Sequence, residues 1–473
     1  MREKYKGFIN RYGYGFEWYY LLVILAYILT LASDLVRPGV IATVLLLVVW
    51  AEVVVAWRIF SDGSAGKDKR LLKSLPIQDW LVLCYFFYNI LSVIWLTRGG
   101  LPASVFLGEF VVSVLPMGFY FAGKLCGNVN VNENGKRLSG FYAKFTAAVL
   151  LVGIVGILLY IAAPQFYLDY SFRYSFISKA DAPTMRVRMN SVVGCTLLGF
   201  LGTAGMMSGA YFLKGEAVSD PVTGKQESAG AGETKPSDKK GTARIHKKRV
   251  RKSRLFGIIS IAVCLVAAIM SNQRSVLVSV ILVMIYINYL LFFKLDLIPK
   301  KYFYVELGAI AAVFVLLCVI KFDVILKFWW RLASLPGAVS ERSEQWIAAI
   351  NNMYSTWLGN GLGANGHRAL GIEGTHVIAD GGLIKLYCEE GILGFSLFLY
   401  IIILAVKKGL RNVREYYVEL GILALVFLQS IGSNIIAFQL ATPIFWFAVG
   451  RIQAGEIIKY RGSCQKNYLG GSV

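Results

Sequence analysis

The chain is poor in charge, in histidine and in paired cysteine. Asp, Glu, Lys and Arg make up 16% of its 473 residues, against 56% hydrophobic. A soluble domain of this size cannot cover that much apolar surface, which leaves an integral membrane protein. With three histidines there is no His-rich metal-binding tract. The seven cysteines, Cys84, Cys126, Cys195, Cys264, Cys318, Cys388 and Cys464, fall mostly in apolar runs and never at CxxC spacing. That excludes a zinc or disulfide framework and leaves small core hydrophobes. Acidic residues are scarce, 28 against 49 basic, for a net charge of +21. In a multi-spanning protein this surplus reads as loop charge that sets orientation rather than as a nucleic-acid site. An internal repeat is also missing, which weighs against an alternating-access transporter built from inverted halves.

What is present is a long series of apolar runs, with a mean hydropathy of +0.59. A span needs about 20 apolar residues, because the hydrocarbon core is about 30 Å thick. Twelve segments qualify, at about 18–33, 38–57, 79–97, 103–122, 142–163, 191–213, 255–271, 275–293, 302–321, 380–406, 416–432 and 435–450. The fold class expected is therefore all-α, a polytopic bundle of about 12 transmembrane helices. The first run, near Trp18, is expected to be a retained helix rather than a cleaved signal. Lys and Arg gather in alternate loops, so both termini are expected in the cytoplasm.

Three regions follow. Residues 1–213 form an N-terminal membrane bundle with a basic external loop at 164–190. Residues 214–254, rich in Gly, Ser, Lys, Thr and Glu, cannot bury a core and are expected to be a disordered cytoplasmic loop. Its end, RIHKKRVRKSR, is a juxtamembrane basic cluster that anchors topology or meets anionic lipid, and His246 within it is solvated. Residues 255–473 form a C-terminal bundle with a large external loop, 322–379, between helices nine and ten. External loops are ordinarily poor in Lys and Arg, yet 164–190 carries Arg173, Lys179, Arg186 and Arg188. An anionic ligand outside the membrane accounts for that departure.

The chemistry concentrates in the second loop. Trp346, Ile350, Met353 and Trp357 recur on one face of an amphipathic helix over 340–358, with Arg342 one turn before Trp346. Gly361, Gly363 and Gly366 match the dinucleotide fingerprint, but no βαβ unit surrounds them, so they read as tight turns. His367, Arg368 and His376 follow. Asp380, at helical-turn spacing from His376, is expected to share its face and either orient the imidazole or act as the base itself. No third ligand completes a metal site. Glu389 and Glu390 sit at the outer boundary of a span and must face a wet cavity or partners in the bundle. Glu52, Glu109 and Lys385 are among the few charges inside spans. Far upstream, the short turn SNQRS (271–275) puts Arg274 at the mouth of the bundle, at the depth of lipid phosphates.

These pieces together resemble the O-antigen polymerase and O-antigen ligase superfamily. One is an Arg after a Ser-containing turn that opens a helix (Ser271 to Arg274). The next is an Arg-x-x-x-Trp helix leading into a Gly-x-Gly loop (Arg342, Trp346, Gly361, Gly363). The last is a polar residue followed by a Glu-x-Gly-Ile-Leu-Gly helix (Asp380, then Glu389 to Gly394). The resemblance covers the second half of the chain.

It implies a membrane-embedded, GT-C-like glycosyltransferase that needs neither metal nor cofactor. Donor and acceptor would be polyprenyl-diphosphate-linked glycans, joined into a surface polysaccharide outside the cytoplasmic (inner) membrane. Arg274, Arg342, Arg186, Arg188 and Arg173, with His367, Arg368 and Glu389, would bind substrate, and His376 or Asp380 would be the base. A chain-length regulator and a flippase would be pathway partners. Ligases of the superfamily carry His where this chain has Asp380, which favours a polymerase over a ligase or protein O-oligosaccharyltransferase. A lipid-linked oligosaccharide flippase is the alternative from another class. The orientation is testable: alkaline phosphatase fused after residue 360 should be active in cells, and fused after residue 230 inactive.

Overall fold

The protein is all-helical among the residues that the structure, a computed structural model, describes: 13–62, 76–127, 131–173, 188–214, 236–320 and 335–454, with scattered positions between 321 and 334. In chain order the helices are α1 (Gly15–Leu29), α2 (Pro38–Asp62), α3 (Ile77–Arg98), α4 (Ala103–Glu109), α5 (Gly118–Gly127), α6 (Val131–Ala162), α7 (Pro164–Arg173) and α8 (Cys195–Leu213). There follow α9 (Pro236–Met270), α10 (Arg274–Tyr289), α11 (Lys301–Ile320), α12 (Leu335–Asn351), α13 (Gly382–Arg411), α14 (Val413–Gly432) and α15 (Thr442–Gln453). Nine helices among the described residues are long and apolar enough to cross a membrane, and the chain is a multi-pass membrane protein. The other three predicted spans coincide with α1, of 15 residues, α11, whose side chains are only partly described, and α15, of 12 residues.

Small residues bring the backbones together, as expected where lipid supplies no hydrophobic drive between helices. On α8, Gly202, Gly205 and Gly209 face Cys264, Ala268 and Gly257 of α9. Gly123 of α5 lies against the Phe447 carbonyl, and Gly450 of α15 lies against that of Tyr120. Around this seam stack aromatic rings, with Phe141 and Phe447 centroids 3.8 Å apart and Tyr20 edge-on to Phe145. The buried Lys124 lies 2.5 Å from buried Asp79, and half-buried Glu52 accepts from the Gly15 and Phe16 amides at the start of α1.

One expectation fails. Residues 236–254 are not an irregular loop but the first turns of α9. Lys and Arg are good helix formers, and once a membrane helix exists, adding residues to its end avoids the cost of nucleation. The basic loop at 164–190 opens with a helix, α7. Positions 174–187 and 215–235 lie outside the described residues.

The feature that places everything downstream is a break in α13. Gly391 adopts φ +64°, ψ −172° inside the helix, which frees backbone groups on both sides within an apolar setting. Loop residues 356–361 satisfy them. The amides of Asn360 and Gly361 donate to the Cys388 and Glu389 carbonyls at 2.8 and 2.9 Å, while the Ile392 and Leu393 amides donate to the Thr356 and Trp357 carbonyls at 2.9 and 3.2 Å. Non-helical backbone at membrane depth is tolerable only with such replacement partners. Gly391→Ala puts a Cβ at a left-handed φ and into the loop backbone. It is expected to cost about 1–3 kcal/mol, read as a lower melting temperature in detergent.

Candidate active site

The charged residues beneath the break form one buried cluster. Lys385 Nζ lies 2.6 Å from Glu109 Oε1 and 3.2 Å from Glu389 Oε2, and all three side chains are at most 7% exposed. Glu109 is the last residue of α4, where a π-turn (Phe110–Val114) follows and Ser113 Oγ donates to its Oε1. Such turns re-aim a side chain within an otherwise regular helix. Arg368, on the short turn His367–Ala369, approaches Glu109 from the rim at 3.9 Å. Glu390 takes a hydrogen bond from Tyr85 at 2.5 Å, and Tyr88 donates to its carbonyl. Lys385, Glu389, Glu390 and Asn434 line a small cavity here.

From this base the loop is fixed upward. The Asn365 amide donates to Glu389 Oε1 at 3.1 Å. Its side chain accepts from Asn360 and donates to the His376 carbonyl, and its own carbonyl accepts from the Ile378 amide. Asn434 Nδ2 donates to the carbonyls of Ile378 and Ala379, and the Gly382 amide to that of Ser433. Gly361 and Gly363, at φ +90° and +91°, make the tight turns expected of them.

Asp380 sits at the end of this scaffold. Trp346 Nε1 donates to its carbonyl at 2.7 Å, and Arg342 Nη2 lies 2.6 Å from its Oδ2. Arg342 and Trp346 thus do share a face of α12, and both turn it to Asp380. Gly381, at φ +118°, packs on the Trp346 ring, where any Cβ would collide.

Arg274 and Arg188 come from other segments of the chain. A methyl group on Gly432 would meet Ser275 Cβ at 3.2 Å and Arg342 Nη1 at 3.9 Å, so α10, which Arg274 opens, comes close to Arg342. The Met189 amide donates to the Met270 carbonyl at 2.8 Å, and Gln273 Nε2 donates to Thr196 at 2.7 Å. Half-buried Arg188 therefore adjoins the turn that carries Arg274.

Two expectations need correction, and the other predicted residues are placed as follows. His376 and Asp380 do not share a helical face, since α13 begins only at Gly382 and the two lie in irregular backbone; His376 is exposed, its carbonyl held by Asn365. The amphipathic helix ends at Asn351, so Met353 and Trp357 leave its face. Glu389 is buried and engaged by Lys385 and Asn365, so it meets partners within the bundle while also lining the cavity. Arg173, at the end of α7, pairs with Asp34 at 3.3 Å, a surface contact of little energetic weight. His367 and Arg368 are exposed beside the loop, and Arg186 lies outside the described residues. Among the described residues no group of three His, Cys, Asp or Glu side chains is arranged to hold a metal ion.

Asn365 and Asn434 were missed because neither belongs to a pattern of charge or period; only their position among glycines and serines hinted at backbone anchoring. Glu109 stands out in the sequence as an intramembrane charge, but nothing in the sequence names Lys385 as its partner. No family model matches the chain, and no curated protein matches it significantly.

The arrangement offers a carboxylate on an anchored backbone and a guanidinium bonded to it, with the segments that carry Arg274 and Arg188 close by. Lys385→Met leaves Glu109 and Glu389 buried without their ammonium and should destabilise the protein by about 3–5 kcal/mol. Adding Glu109→Gln should recover part of that, measured as melting temperature in a double-mutant cycle.

Proposed function

We propose that the chain is a membrane glycosyltransferase that joins polyprenyl-diphosphate-linked oligosaccharide repeat units into a surface polysaccharide. The observation that carries this reading is the pairing of Arg342 with one anchored carboxylate, Asp380, beside the helix that Arg274 opens. Arginine forks match phosphate oxygens in pairs, and a polyprenyl diphosphate presents its phosphates at the edge of the bilayer. The order of these residues also fits the resemblance to the polymerase and ligase superfamily.

In this mechanism the guanidinium groups bind the donor's diphosphate and stabilise the charge that grows on it as it leaves. Asp380 takes the proton from the acceptor hydroxyl. The acceptor oxygen bonds to the anomeric carbon from the face opposite the diphosphate, so the configuration inverts. His376, exposed on the same loop, is the alternative base. On this reading the loop lies outside the cytoplasmic membrane, where lipid-linked units arrive after transbilayer movement.

Purified protein given lipid-linked repeat units should form polymer equally well with and without EDTA. Arg274→Ala should lower the rate by about 10²–10³, by analogy with loss of an oxyanion donor. Wild-type rates in the arginine variant at matched protein level would remove Arg274 from the mechanism.

A further inference from the structure

Arg342 and Asp380 carry opposite duties in this mechanism, yet they are bonded to each other. Arg342 Nη2 is 2.6 Å from Asp380 Oδ2, and the two side chains are 31% and 36% exposed. In such a pair Oδ2 of the carboxylate faces the guanidinium rather than an acceptor hydroxyl. A guanidinium in the same pair has part of its fork committed.

We propose that the pair is a latch opened by the donor. The donor's diphosphate displaces the Asp380 carboxylate from Arg342, and the released carboxylate then serves as base. This deepens the glycosyltransferase reading and rests on its assignment of Arg342 to the diphosphate.

Three features of the structure favour an exchange of this kind. The pair is half exposed, so a ligand reaches it and little energy holds it closed. The incoming group carries more negative charge than one carboxylate and presents several oxygens, so it competes well for the fork. Asp380 also does not depend on Arg342 for its place. Its carbonyl is held by Trp346, the residues before it by Asn434, and Gly382 by the Ser433 carbonyl. Loss of the ion pair therefore frees the carboxylate while leaving the backbone where it is. Arg342 Nη1 already lies towards Gly432, which packs on Ser275, the residue after Arg274.

The step balances. The acceptor O–H proton goes to Asp380 Oδ2, the acceptor oxygen bonds to the anomeric carbon, and the electron pair of the carbon–oxygen bond leaves with the polyprenyl diphosphate. The latch imposes an order in which the donor binds first and only then is the acceptor deprotonated.

The test uses the full-length protein in detergent with inorganic diphosphate as the probe. Asp380→Asn removes the competitor for Arg342 and should bind diphosphate about two- to fivefold more tightly than wild type, the scale of a partly exposed ion pair, while transferring no sugar. In wild type, diphosphate should raise the rate at which a carbodiimide labels Asp380, read by mass spectrometry. In Arg342→Ala that rate should be high from the start and indifferent to diphosphate. If wild type binds diphosphate but Asp380→Asn binds it no better, or Asp380 labelling is unmoved by the ligand, the latch is wrong and the diphosphate site stands. If wild type binds neither inorganic diphosphate nor a polyprenyl diphosphate, the underlying assignment falls with it.

Discussion

The repair of one broken helix governs the rest of this protein. Gly391 interrupts α13 in an apolar bundle, and an interrupted helix leaves amides and carbonyls that lipid cannot satisfy. The loop from Thr356 to Gly361 supplies the missing partners on both sides of the break. The loop is thereby set into the helix itself, and its course is fixed by backbone hydrogen bonds before any side chain contributes. Each half of α13 can then turn its polar residues inward without exposing the break to lipid.

Charge placement follows from that repair. The half-helix before Gly391 carries Lys385, Glu389 and Glu390, which would be costly against lipid and which instead meet Glu109, Asn365 and Tyr85 inside the bundle. The network is more than ion pairing. Glu389 binds a loop amide, Asn365 passes the constraint to His376 and Ile378, and Asn434 holds the segment entering Asp380. A constellation held this way keeps its geometry through contacts with the scaffold rather than through its own flexible side chains.

The membrane-spanning character was legible in the sequence because hydrophobic runs answer to a single requirement, the thickness of the bilayer. The pairing of Arg342 and Trp346 on one face was legible for a similar reason, since helical period fixes which side chains share a face. The same rule misled at His376 and Asp380, where four-residue spacing implied a helix but the chain forms an irregular loop held by Asn365 and Asn434. The repair at Gly391 was illegible because it joins segments about thirty residues apart through main-chain atoms, which every residue type shares. Lys385 and Glu109 were each visible as intramembrane charges, but their meeting depends on a π-turn after Glu109 that no local propensity announces.

The stitching of the loop into α13 also bears on how the protein is made. Residues 356–361 leave the ribosome before Gly391, so they wait for the helix that will receive them. That helix arrives with a lysine and two glutamates near its front, and the groups that accommodate them, on α3 and α4, are already in place by then. The segment that enters Asp380 is held only once Asn434, which follows α14, has been made.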